Sequence, residues 1–448
     1  MYELKTKKHR FSYTQIIALS FIGVILVGAF LLCLPISSTT REWPPPLDAV
    51  FTATSATCVT GLIVYDTFTH WSLFGQVVIL VLIQIGGLGF MTIMSLFAIV
   101  THKHISLHKR RLIMQSTGNI QLGGVLTLVH KIIIGTVIFE TAGAIILAFR
   151  FCPEMGFGEG LFNAFFHSIS AFCNAGFDLM GKYEQFSSFT HFRSDIVVQG
   201  VLMLLIIIGG IGFFVWSDIL KCGRHVSQYT LHTKMVLSTT FVLVFGGGAL
   251  FFFLEKDGAL AGLPLGEQLM GALFQSVTTR TAGFNNIDQS SLTSGGVLSI
   301  VFMLIGGSPG STAGGIKTTT ILVVLLNAIA AIRGRDDSVI FKKRISDDTV
   351  RQANAITAIY IMAVIAATIV IMALESVGLE QALFETSSAI GTVGVTMGMT
   401  PTTCAASRII LALLMFIGRV GGLSFVLVFS TERANPDIQR PTEKVMVG

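Results

Sequence analysis

The pattern in this chain best suited to chemistry is made of backbone rather than side chains. Ala382 to Val395 reads ALFETSSAIGTVGV. An apolar start suited to a short helix runs into Thr392-Val393-Gly394. A short helix ending in a Thr-Val-Gly strand is an arrangement in which carbonyls replace the water around a dehydrated cation. Aiming successive carbonyls at one axis demands unusual φ, which glycine reaches without a Cβ penalty. The pattern recurs: Ala49-Val50-Phe51 leads to Gly61-Leu62, Ala164-Phe165-Phe166 to Gly176-Phe177, Ala272-Leu273-Phe274 to Gly283-Phe284, and Ala382-Leu383-Phe384 to Gly394-Val395. The Phe-to-Gly separations are 10, 10, 9 and 10 residues, and the unit returns about every 110 positions. A second landmark follows each copy: Ile85-Gly86-Gly87, Ile208-Gly209-Gly210, Ile305-Gly306-Gly307, and Ile417-Gly418 with Gly421-Gly422. Four copies of one unit outweigh any single motif.

Segments of this kind need a membrane around them. The 448 residues are 52% hydrophobic and 12% charged, with a mean hydropathy of +0.75. Soluble domains carry about 25% charged residues. Each repeat reads as a long apolar helix, a short helix, the glycine segment and a second long apolar helix. The long runs are Phe11–Leu34 and Ser72–Val100, Gly123–Phe149 and Asp195–Trp216, Met235–Leu254 and Gly295–Ala331, and Ala353–Leu374 and Ala405–Phe429. Most exceed the ~20 residues that cross a bilayer. The short helices, Leu47–Ala56, Gly160–Ala171, Leu265–Val277 and Gln381–Ala389, do not. They read as re-entrant, because irregular backbone at membrane depth must line a water-filled cavity. The expected fold is an all-α polytopic membrane protein of four tandem helix–pore loop–helix repeats. Its eight transmembrane helices and four re-entrant pore helices would surround one pseudo-fourfold ion pore. The expected divisions are a cytoplasmic N-terminus (1–10), repeats at 11–116, 117–231, 232–351 and 352–430, and a cytoplasmic C-terminus (431–448).

Charge sets the orientation. Twenty lysines and arginines fall in the candidate inner segments against six in the outer ones. That bias places both termini in the cytoplasm and the glycine segments in the outer half. Two inner loops, Lys103–Arg111 and Arg333–Arg351, read as topogenic charge; the mixed signs of the second also suit a docking face for a cytosolic partner. The first apolar run is too long for a cleavable signal and no small-residue cleavage site follows it. The six cysteines, without CxxC spacing, give no disulfide framework and no metal site. A Walker-type reading of Gly310 to Thr319 fails, because Ile316 separates glycine from Lys317. No stretch is long enough for a nucleotide-binding domain, so nucleotide control would come from another chain. No paired polar groups at one depth suggest an enzyme, and no nucleic-acid partner is expected.

The candidate coordinating groups are the backbones of Thr57, Cys58, Val59, Thr60 and Gly61; Phe172, Cys173, Asn174, Ala175 and Gly176; Arg280, Thr281, Ala282 and Gly283; and Gly391, Thr392, Val393 and Gly394. Arg280 would repel a permeant cation, so its side chain is expected behind the segment, against Glu140 or Glu385. A charge at mid-bilayer is costly unless paired. In the third repeat the second long helix should break over 306–315, at Gly306, Gly307, Ser308, Pro309, Gly310, Ser311, Thr312, Ala313, Gly314 and Gly315. Proline removes a helix hydrogen bond and the glycines weaken the rest. This place, on the cytoplasmic side of the glycine segments, suits a gate. Lys317 and Arg419 are candidate charged partners of that loop.

These motifs, CVTGL at 58–62, CNAGF at 173–177, TRTAGF at 279–284 and TVGV at 392–395, resemble the Trk/Ktr/HKT superfamily of potassium transporters. The likeness covers about Phe11 to Ser430 and is nearest to the membrane subunits of bacterial Ktr uptake systems. It implies potassium uptake through one filter-lined pore per chain, in a bacterial inner membrane, frequently stimulated by sodium. It also implies a homodimer on a cytosolic nucleotide-binding regulatory ring, with no cofactor on this chain. It makes Arg419 a partner of the intramembrane loop. Broken helices also occur in alternating-access cation symporters, the competing reading, although those pair them in inverted halves.

Overall fold

The computed structural model describes residues 13–89 and 125–421. The terminal segments 1–10 and 431–448, the basic loop Lys103–Arg111 and Gly422 lie outside the described residues. Four described helices are long and apolar enough to cross a membrane: Gln15–Cys33, Val129–Met155, Leu231–Glu255 and Asp347–Glu375. They are the first helices of the four units, as the repeat predicts. The third contains a π-helical turn at Val242–Gly246, which the sequence did not announce.

Each long helix is followed by a short one: Pro46–Cys58, Phe157–Phe172, Leu265–Thr278 and Leu379–Gly391. Each short helix carries one acidic residue in its first turn, namely Asp48, Glu159, Glu267 and Glu380. A carboxylate there complements the positive end of the helix dipole. The phenylalanines of the repeat, Phe51, Phe166, Phe274 and Phe384, are all buried, fixing the rotation of the short helices. Each C-terminus therefore delivers the chain to the same place.

The second helices depart from expectation. Asp195–Trp216 is not one continuous helix. Ile196–Gly210 and Phe213–Cys222 meet at 92°, the break falling on Gly212 at φ 96°. In the first and fourth units the described helices, Leu73–Leu88 and Ala405–Val420, stop at Gly89 and Gly421, both at positive φ. In the third unit Ser294–Leu304 and Thr318–Ile332 flank the expected broken loop. In all four units the described helix ends at or within a few residues of the Ile-Gly landmark. The landmark glycine has a separate duty. A Cβ on Gly86, Gly209 or Gly418 would collide with the carbonyl oxygen of Thr57, Phe172 or Ile390, so the second helix lies directly on the end of the short one. A short hairpin, Val339–Ile340 with Lys343–Arg344, lies in the segment between the third and fourth units.

Polar contacts join neighbouring units. Phe186 N donates to Asp66 (3.2 Å) between the first and second, and Asn286 to Gln199 (3.0 Å) between the second and third. The ring closes where Arg408 of the fourth unit meets Asp48 of the first at 2.5 Å, with Tyr65 also donating to Asp48.

Close packing at the landmark gives a direct test. Gly86→Ala, Gly209→Ala and Gly418→Ala should each destabilise the detergent-solubilised protein by roughly 1–3 kcal/mol, the range of overpacking. Gly200→Ala, at a helical glycine with open space around its Cβ, should instead gain about 0.5–1 kcal/mol. Thermal aggregation midpoints of the four variants against the parent check both signs.

Candidate cation site

At the end of each short helix two residues take left-handed backbone with one ordinary residue between them. The first are Val59, Asn174, Thr281 and Thr392, at φ 58°, 58°, 70° and 52°; the second are Gly61, Gly176, Gly283 and Gly394, at φ 94°, 70°, 84° and 93°. For a β-branched residue such as Val59 this is strained backbone, costing about 1–2 kcal/mol. Each segment is held back onto its own helix. Thr60, Ala175 and Val393 donate their N–H to carbonyls five residues earlier, at Ser55, Ser170 and Ser388, each at 2.8 Å. In the third unit Ala282 reaches only four back, to Thr278 at 2.9 Å. The one-residue-shorter Phe-to-Gly spacing of that unit is the cause.

The hydroxyls at these positions also work on the segment. Ser55 and Ser388 accept from the N–H of Gly61 and Gly394, both at 3.1 Å. Ser170 and Thr278 donate to the carbonyls of Phe177 and Phe284, at 2.7 and 2.6 Å. They were not singled out from the sequence, although each stands five or six residues before its glycine and aligning the repeats would have found them.

The four glycines form a closed ring. A Cβ on Gly61 would lie 2.6 Å from the Ala175 oxygen; one on Gly176, 2.9 Å from that of Ala282; and one on Gly283, 2.5 Å from that of Val393. One on Gly394 would strike the Thr60 oxygen and lie 2.8 Å from Gly61 Cα. The order around the ring is the order along the chain. The four carbonyls just before the glycines therefore crowd one axis, with the negative ends of four helix dipoles behind them, an environment that favours a cation. The hydroxyl oxygens of Thr57, Thr60 and Thr392 are buried there without hydrogen-bond partners. Thr57, Cys58, Phe172 and Gly391 lie in the last helical turns, Cys173 and Arg280 at the turn out of the helix.

The broken loop packs against the helix-end side of this ring and touches the second and fourth units, and Arg419 links it to the first. Its neck is pinched by Gly306 N to Ile316 O (2.8 Å) and Thr318 N to Gly307 O (3.1 Å). Ser308 N donates to Gly210 O, Phe213 N to Gly310 O, and the Thr312 hydroxyl to Phe172 O and the Asn174 side chain. A Cβ on Gly314 would meet the Thr392 side chain, and one on Gly315 the Gly391 oxygen. Ser311 turns back onto Ser308 O at 2.6 Å, while Pro309 and Ala313 complete the turn. Lys317 donates to the carbonyls of Ala313 (2.7 Å) and Gly314 (3.2 Å). Arg419 donates to Thr312 O in the loop and to Gly86 O and Gly87 O of the first unit. Both cations therefore bond to carbonyls in this region.

The expected carboxylate partner of Arg280 is absent. Glu140 is taken by Gln84 (3.1 and 3.2 Å) and Glu385 by Thr396 and Thr400, while the buried Nε of Arg280 has no partner. Both carboxylates lie behind glycine segments, but amide and hydroxyl donors satisfy them.

The geometry meets independent comparisons at this point. The family model for TrkH, cation transport protein, matches residues 5–439, and the chain belongs to that family. It is 40% identical to the Ktr system potassium uptake protein B of Bacillus subtilis, over 98% of this chain and 97% of that one. It is 39% identical to the potassium/sodium uptake protein NtpJ of Enterococcus hirae, over 99% of each. The fold matches the crystal structure of the potassium transporter TrkH from Vibrio parahaemolyticus with a TM-score of 0.75 at 17% identity, covering 95% of this chain and 86% of that one.

Arg419 bridges two units through three carbonyls, so Arg419→Ala should loosen the loop without moving the ring. Hydrogen exchange should speed up at Ser308–Gly315 by about tenfold, the loss of bonds to a charged donor, and stay unchanged at Thr60 and Val393.

Proposed function

We propose that this chain takes up potassium across a bacterial cell membrane through the ring of Gly61, Gly176, Gly283 and Gly394. The observation that carries the reading is the closed contact of four left-handed glycines, which sets four carbonyl oxygens around one axis. A dehydrated cation exchanges its water for such oxygens. The names of the Bacillus subtilis and Enterococcus hirae relatives support potassium, with sodium as a second ion of interest. The loop 306–315 is the gate in this reading. It lies across the ring's helix-end side and is held by hydrogen bonds that can be exchanged for others, as a two-state element requires. The charges of Lys317 and Arg419 oppose cation entry while the loop is in place.

The control would come from outside the chain. A relative named as part of a Ktr system supports a partner subunit, and we place a cytosolic nucleotide-binding ring on the inner face, near the hairpin at 339–344. A homodimer, cytoplasmic termini and sodium stimulation belong to the same reading. The competing one is an alternating-access symporter, favoured by the 92° break beside Gly212.

Two experiments test it. Gly→Ser at any of the four ring positions should weaken apparent potassium affinity or lower potassium-over-sodium preference by about tenfold or more, because lost oxygen contacts are worth at least ~1.4 kcal/mol. Unchanged uptake in all four would remove the ring from the pathway. Deleting Ser308–Ala313 should raise the maximal rate at saturating potassium and leave selectivity in place. A well-expressed deletion with a lower maximal rate than the parent would make the loop a support instead of a gate.

A further inference from the structure

The residue after the repeat's buried phenylalanine is polar in every unit: Thr52, His167, Gln275 and Glu385, each at most 1% exposed. In three units this side chain reaches past the glycine to the segment beyond it. His167 accepts from Leu179 N at 2.9 Å, three residues after Gly176. Gln275 and Gln289 exchange two amide bonds, at 2.7 and 3.0 Å, six residues after Gly283. Glu385 accepts from the hydroxyls of Thr396 (2.9 Å) and Thr400, two and six residues after Gly394. Thr396 in turn accepts from Gly398 N at 3.0 Å. The short helix thus grips its glycine segment on both sides, through Ser388 before the glycine and through Glu385 after it.

The three pins are not equivalent. Only that of the fourth unit is a carboxylate, and it stands behind Thr392-Val393-Gly394. Its two oxygens each meet a hydroxyl, Thr396 on one and Thr400 on the other. Thr396 both accepts from Gly398 N and donates its one proton to Glu385. That chain fixes the direction in which the backbone leaves the ring. Resting on the potassium reading above, we infer that Glu385 is a positioning residue for ion selectivity, holding the outer end of the fourth segment so that the Val393 carbonyl keeps its place. It touches no ion; it acts through Thr396 and Thr400.

Glu255 provides the control. It is equally buried and equally satisfied, accepting from Ala259 N, Thr293 N and Gly295 N at 3.0, 2.9 and 2.7 Å. Those bonds tie the ends of the first and second helices of the third unit and reach no segment just beyond a ring glycine.

The test uses the full-length protein. In purified Glu385→Ala, hydrogen exchange at 394–400 should speed up, and the potassium-to-sodium ratio of apparent uptake affinities should fall by about tenfold, the loss of two side-chain hydrogen bonds. Glu385→Gln keeps the length and one acceptor and should recover most of the ratio. Glu255→Gln should lower thermal stability and leave the ratio alone. Should Glu385→Ala fail to fold, Thr396→Val with Thr400→Val removes both donors and should produce the same loss of ratio. A folded Glu385→Ala with the parent's ratio overturns the inference, and so does a loss matched by Glu255→Gln. Exchange at 394–400 decides the pinning even if the parent takes up no potassium, a result that would instead defeat the transport reading; unchanged exchange overturns the pin.

Discussion

Backbone against backbone, with no room for a Cβ, is the contact on which the rest of this structure depends. Each ring glycine abuts the carbonyl that precedes the next one, from Gly61 round to Gly394 and back. A single side chain at any of the four positions would push a neighbouring unit outward. Four separate stretches of sequence must therefore arrive at one point with the same left-handed geometry. Short helices of nearly equal length, each seated on a buried phenylalanine, provide that arrival.

The arrangement is strained, and the strain is opposed locally. Val59, Thr281 and Thr392 hold left-handed backbone that β-branched residues avoid. Bonds to the parent helix and one hydroxyl per unit keep each segment there. Carbonyls gathered on one axis repel one another, and a bound cation would relieve that repulsion. The same logic explains the short-helix ends: acidic residues sit at the positive N-termini, and the negative C-termini face the ring. The landmark glycines let the second helices lie on the short ones. The broken loop of the third unit then packs on the helix-end side of the ring, bonded to the second and fourth units and tied to the first through Arg419.

Much of this could be read from the residues, because the repeat is written in residue types that have few alternatives. The Phe-to-Gly spacing located all four short helices to within a few residues, and even the shortened third copy reappears as a four-residue instead of a five-residue return bond. The loop at 306–315 was legible because proline among glycines cannot stay helical. What the sequence hid lies in tertiary contact. Nothing in Gly-Ile-Gly at 210–212 distinguishes a helix that bends by 92° from one that continues, since an apolar run carries no periodicity signal when all its faces are apolar. The Arg280 expectation failed for a related reason. Opposite charges invite pairing on paper, but Glu140 and Glu385 each found neutral donors nearer to hand. Where Lys103–Arg111 would dock a partner falls outside the described residues.

An ion that passes through the glycine ring must be found among its carbonyl oxygens. The most direct measurement is anomalous diffraction or cryo-EM density from protein prepared in thallium or rubidium, both of which substitute for potassium. Density is expected on the axis between the carbonyl oxygens of Thr60, Ala175, Ala282 and Val393. Density confined to a site between the broken second helices, with none on that axis, would contradict it and favour alternating access.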